Sequence, residues 1–461
     1  MQRNHRFGRL QVLLVLIVTV VGTNSSFAQQ GAISETLHNW PAWRGPLGTG
    51  ASPDADPPIE WNEEKNVRWK TPLPGLGHSS PVVWGDRIYL TTAIPTGPAL
   101  PPRVSKAPGA HDNLPVTHKQ QFVALAVDRR DGSIVWQKPV HEELPHEGWH
   151  YTASAASISP VTDGEHVFAS FGSYGLYCLD VDGNVVWQKQ LGKMQIKHGH
   201  GESTTPALHG DTLIVNWDQE RDSFIVALDK STGEPRWRVP RDEETSWASP
   251  IVIEYNGRPQ VVVSGTNRIR GYELDSGKVI WECGGLSSNV VASPVYGNGM
   301  VFAGSSYETR ALLAINLNGA RGDVTGTKQV VWSRRERTPY VPSPLLYDGG
   351  LYFLYHYQGV LSRVTARTGA EPTGPFRLTG ITDVYSSPVA AAGRLYFTDR
   401  EGTTLVMSGG EKPQALALNR LDDQFSASAA LVGREMFLRG ERFLYCLAEG
   451  GGDTTAAGTL Q

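Results

Sequence analysis

Thiols are scarce in this chain: 461 residues hold three cysteines, Cys178, Cys283 and Cys446, no two of them adjacent. That excludes a disulfide-stapled scaffold, and nothing around them has the spacing of a zinc site or a haem attachment motif. Blocks of one charge are missing too. The net charge is −4 and lysine and arginine are scattered, so the chain has no electrostatic footprint for nucleic acid. The one notable apolar run, Leu10 to Val21, is short for a membrane span, and no cysteine follows it to carry a lipid. Arg3, Arg6 and Arg9 precede the run, and Ser26 and Ala28 take the small-residue positions before a cut. Residues 1–28 therefore read as a cleavable secretory signal, and the protein as periplasmic or extracellular.

Glycine and proline are plentiful, at 50 and 30 residues, and they recur in order. Eight times a proline or its stand-in is followed by a glycine and a short apolar run, as in SSPVVWGDRIYL, STTPALHGDTLIV and SSPVAAAGRLYF. The anchors are Pro81, Pro160, Pro206, Pro250, Pro294, Pro344, Pro388 and, in the last repeat, Ala429. A spacing of 44 residues separates Pro206 from Pro250, Pro250 from Pro294 and Pro344 from Pro388. A strand-and-turn period of this size predicts an all-β fold: one eight-bladed β-propeller of four-stranded blades over residues 61–449.

Within a repeat, the stretch around the proline gives strand A, which tolerates a missing donor because its inner edge faces the axis. The Val-, Ile- and Tyr-rich run after the glycine gives strand B. Strands C and D meet in turns such as ALDKSTGEPRW, where the Asp or Thr side chain bonds the turn backbone and the glycine supplies positive φ. The terminal tryptophan (Trp136, Trp187, Trp237, Trp281) buries its ring against the next blade. The last repeat stops after strand C, whereas KNVRWK, residues 65–70, is a D-type strand with no blade before it. Pairing the two closes the ring and removes an exposed edge. Cys178 and Cys446 occupy the same strand position two blades apart, too distant for a disulfide, so buried free thiols are expected. Residues 29–60 form a leader that Trp40 and Trp43 pin to the ring, and 450–461 form a disordered tail.

Loop lengths point to a site. In such blades the B–C and D–A connections share one face, and the long insertions of blades 1 to 3 all fall there. They carry His111, His118, His141, His146, His150, His198 and His200, more than half of the 13 histidines, among Glu142, Glu147, Glu202 and Asp218. Imidazoles and carboxylates together bind transition ions or polar ligands. His146, His150, His198 and His200 are the metal candidates, with zinc favoured over calcium. Residues three or four places before the anchors, His78, Glu202, Trp247, Tyr340, Tyr385 and Phe425, point to the channel mouth. Of these Glu202, Trp247, Tyr340, Tyr385 and Phe425, together with Trp149, are the ligand-binding candidates; an aromatic funnel suits a planar ligand or a peptide.

With the Asp-x-x-Thr-Gly-x-x-x-Trp turns in view, the chain resembles the pyrroloquinoline quinone (PQQ)-type propeller repeats from about Trp61 to Glu449. That resemblance implies one of two branches. Quinoprotein dehydrogenases oxidise alcohols or sugars with PQQ and calcium; relatives such as the outer-membrane assembly lipoprotein BamB bind proteins. The dehydrogenases that stack the quinone on two adjacent, linked cysteines find no counterpart here, and no calcium-binding Glu-Asn-Asp set can be matched. BamB's lipid-anchor cysteine is missing as well. The expectation is an exported, non-catalytic and monomeric binding or scaffold protein that holds a protein or small ligand on the insertion-rich face. A quinone-dependent oxidoreductase with a diverged site is the alternative.

Overall fold

In a computed structural model, residues 35–450 are described; the secretory signal expected at residues 1–28 and the tail beyond residue 450 lie outside them. Among these residues eight blades of four antiparallel strands repeat in chain order, the fourth extended by one short parallel strand, Gly322–Asp323. Blade 3 is typical, with strands A to D at Ala207–His209, Thr212–Trp217, Phe224–Asp229 and Pro235–Pro240. Strands B and C of each blade are nearly all buried, and they sandwich their apolar side chains between neighbouring sheets. The eighth blade draws strands A to C from Ala430–Val432, Glu435–Arg439 and Phe443–Ala448, and its outer strand from Val67–Pro72. Trp69 pairs with Cys446 and packs on Phe437 at 6.0 Å.

Two details depart from expectation. The anchor prolines do not lie inside strand A; each immediately precedes it, as Pro206 precedes Ala207–His209. A residue without an N–H is thus spared from the ladder altogether. Trp136, Trp187 and Trp237 reach the next blade, donating from Nε1 to the carbonyls of Val181, Lys230 and Leu274. Trp281 instead turns into its own blade and donates to Gln260 Oε1. The cause is the long C–D excursion of blade 5, whose Gly322–Asp323 pairs in parallel with the Trp281 strand and occupies the docking place. All three cysteines are free and buried.

The residue before each anchor is Ser or Thr, and these eight form a closed circle. Each backbone N–H donates to the hydroxyl of the next blade: Ser80 to Ser159, on to Thr205, Ser249, Ser293, Ser343, Ser387 and Ser428, and back to Ser80, at 2.8–3.3 Å. All eight are buried. The leader crosses one face of this circle. Trp40 exchanges two backbone bonds with Val83, Pro41 O accepts from Thr162 N–H, and Ser52 N–H donates to Ala390 O. Between these points Trp43 donates to Ser428 Oγ. Arg44 donates to the carbonyls of Pro388, Pro344 and Thr49.

Candidate functional site

The leader turns the axial tunnel into a cup. A cavity of about 450 Å³ has Trp43 and hydroxyls of the circle, Ser80, Ser159, Thr205, Ser249, Ser387 and Ser428, among its lining. Its wall carries His78, Glu202, Trp247, Tyr340 and Tyr385, five of the six residues placed at the mouth from their distance to the anchors. Phe425 is the exception: it is fully buried in the blade 7–8 core and packs on Tyr445 at 5.7 Å. Here the D–A connection feeds an apolar interface, and counting back from Ala429 lands inside it. Trp149 lines a separate, water-sized cavity with His146, Glu147 and Tyr174; Glu202 borders both cavities.

The insertions of blades 1 to 3 converge as their lengths suggest. Asn113–Leu114, in the blade 1 B–C loop, pairs with Trp149–His150 of the connection to blade 2. Asn113 Nδ2 donates to His198 O, and His150 N–H to His200 O. His111, His198 and His200 form a triangle with ring centroids 5.2, 4.7 and 5.2 Å apart, and His150 lies 4.8 Å from His200. His146 is not part of it. Its Nδ1 meets Tyr174 Oη at 2.9 Å and its Nε2 donates to Met194 O, so it pins the Gly192–Glu202 loop. In its place stands His111, carried in by an insertion whose path length alone does not reveal. His141 and Asp218 are engaged elsewhere, His141 with Glu143 and Asp218 in a fully buried pair with Arg241.

Two further B–C loops complete the wall, each adding a ring that stacks on an aromatic of a D–A connection. Tyr307 stacks on Tyr340 at 5.8 Å and Tyr357 on Tyr385 at 5.6 Å, with His356 edge-on to Tyr340. Neither loop was marked from the sequence; the YHYQG cluster could have marked one, while the other carries only the single tyrosine of SSYETR. Tyr151, Tyr307 and Tyr357 are exposed at the rim. Asp112, His198, Asn289 and His356 all hold φ of 54–59°, a conformation non-glycine residues adopt at a cost, and three of them line the cavity.

Electrostatically the cup is nearly neutral. No lysine or arginine lines it, and its carboxylates are Asp112 and Glu202. Burial pushes the Glu202 carboxyl up to about 7, against the pull of the Ser173 N–H it accepts. Burial, then the neighbouring imidazoles, hold His200 down to about 4, and burial lowers His78 and His150 as well. These histidines stand as neutral imidazoles.

Sequence comparison now places the chain. Residues 54–195, 102–221 and 221–442 match the family described as outer membrane protein assembly factor BamB. The chain belongs to that family. No curated protein matches it. Among solved structures it is similar to BamB from Moraxella catarrhalis, at 12% identity over 78% of this chain and 97% of that one, with a TM-score of 0.51. It is also similar to the quinohemoprotein alcohol dehydrogenase from Comamonas testosteroni, at 10% identity over 95% and 84% of the two chains, with a TM-score of 0.61. The computationally designed Ika8 protein matches at 10% identity over 85% of this chain and all of that one, with a TM-score of 0.53. At such identities the likeness is one of fold. Among the described residues no helix is long and apolar enough to cross a membrane.

Proposed function

We propose that this propeller is a binding protein whose axial cup holds one small, uncharged polar molecule with a flat apolar face, a saccharide ring being the class that fits. The observation carrying this reading is the lining itself: stacked aromatic rings beside serine hydroxyls, Asn289 and Glu202, with no lysine or arginine, in about 450 Å³. Ligand pockets run from about 300 to 1,000 Å³, mostly apolar with a few placed polar groups. Rings such as Trp247 and Tyr340 offer stacking faces, and hydroxyls and amides meet a polyol edge. With the Arg-led apolar segment at its start, the protein works outside the cytoplasm.

The residues do not suit PQQ. That quinone carries three carboxylates; the wall itself bears two acids and neutral imidazoles, and Arg400, which lies against the Tyr151 and Tyr385 rings, is already paired with Asp383 at 3.1 Å. Calcium takes about 6–8 oxygen ligands, and one of the two carboxylates, Glu202, already accepts the Ser173 N–H. The test is calorimetry and thermal melting of residues 29–461 with a panel of mono- and disaccharides, alongside PQQ plus calcium with dye reduction. A saccharide that raises the melting temperature, with no quinone uptake, is expected. Stoichiometric quinone binding with alcohol- or sugar-dependent dye reduction would overturn the reading.

A further inference from the structure

We infer that His111, His198 and His200 bind one transition-metal dication at the rim of the cup, leaving a fourth coordination position open. Two separate chain segments build the triangle, the His111 insertion and the His198-Gly199-His200 turn, and both are fastened in place. Asn113 holds the His198 carbonyl, His150 N–H holds the His200 carbonyl, and Gly199, at φ 64°, lies so close to Ser105 that any Cβ there would collide with its hydroxyl. The insertion that carries His111 is thus seated on the His-Gly-His turn.

The ring separations match what ligation needs. With zinc–nitrogen bonds of about 2.0–2.1 Å in tetrahedral geometry, imidazole centroids fall about 5 Å apart. The triangle measures 5.2, 4.7 and 5.2 Å. Ring tautomers agree as well. His111 Nδ1 donates to Gly109 O at 2.7 Å and His198 Nδ1 to Pro108 O at 3.2 Å, which leaves the Nε2 lone pair of each for an ion. Carbonyls that fix the far nitrogen are the usual support of ligating histidines. His200 Nε2 is buried with no hydrogen-bond partner.

As the rings stand, the ligand nitrogens do not yet gather within 4.8 Å; among the described residues only Asp163, Glu165 and His166 do so. Asp163 is already taken by Lys230 at 2.8 Å. Gathering the triangle requires the rings to turn; the exposed His111 ring is free to do so and gives up its Gly109 bond in turning, whereas His198 keeps its bond to Pro108 O. Three imidazoles without thiolate or carboxylate select zinc or copper(II) over calcium or magnesium.

The experiment uses untagged protein, stripped with chelator, dialysed against zinc and, in parallel, titrated with cobalt(II) in the absence of any organic ligand. One equivalent of zinc per chain and the visible absorption of four-coordinate cobalt are expected. His111→Ala, an exposed change that spares the fold, should weaken binding at least 10-fold, and His166→Ala should leave it unchanged. No uptake by the parent protein, uptake unaffected by His111→Ala, or loss on His166→Ala would each overturn the site. None of these results bears on saccharide binding, which is read separately.

Discussion

The two ends of the axial channel are built by opposite rules. At the closed end the repeat dictates everything: one hydroxyl per blade, one N–H donated to each, and a leader whose Arg44 finds three carbonyls. At the open end the repeat is interrupted. Insertions from blades 1, 2, 5 and 6 bring strained residues, neutral imidazoles and a carboxyl raised to about 7. The difference separates what stabilises the ring from what gives it chemistry. Closed-end changes should cost stability, and open-end changes should cost binding.

The sharpest break comes from Arg44, a buried guanidinium bonded to carbonyls rather than to a carboxylate. Arg44→Ala strands those carbonyls and is expected to cost about 3 kcal/mol in urea unfolding. An Arg44→Met protein as stable as the parent would remove the leader from the stabilising end. Next is Ser293→Ala, which leaves the Ser249 N–H buried without its acceptor; about 2 kcal/mol is expected, with saccharide affinity unchanged. At the other end, Trp247→Ala should lower ligand affinity about 10-fold, the loss of one stacking face. A stability loss as large as that of Arg44→Ala would erase the contrast between the ends.

The smallest effect is a pH dependence. His78 lines the cup with its side chain 8% exposed, and faces Glu441 at 3.7 Å, with Arg439 and Arg400 nearby. Burial keeps its pKa below 6.5, so below that pH the unfolded chain binds more protons than the folded one. Stability from this group is therefore present above about 6.5 and is lost as pH falls through the folded value. His78→Gln should flatten that acid limb in melts taken from pH 5 to 8; an unchanged limb would assign it to other groups.

The same division explains what could be read from the sequence. Anchors, turn glycines and docking tryptophans recur at a fixed period, so the blade count and the closure of Val67–Pro72 onto Phe443–Ala448 were legible. So, in principle, was the hydroxyl circle, since Ser or Thr precedes every anchor. The site was legible only where it kept the register: Trp247, Tyr340 and Tyr385 stand at equivalent places and line the cup, while Phe425 stands at such a place and is core. His111 against His146 shows the limit. Both lie in long insertions, and which imidazole reaches the triangle depends on how Asn113–Leu114 pairs across to Trp149–His150, a contact between loops that no periodicity encodes. Trp281 was misread for a related reason, because an excursion from the next repeat took its place.

The hydroxyl circle has one further consequence. Its eight bonds all run in the same sense and end where they begin, from Ser428 back to Ser80. It behaves as a hoop: no seam can open without stretching bonds to both neighbours, so the bore cannot breathe blade by blade. Guests of different size must then be accommodated above it, by the loops that carry Tyr307, Tyr357 and His111, while the floor beneath them keeps one diameter.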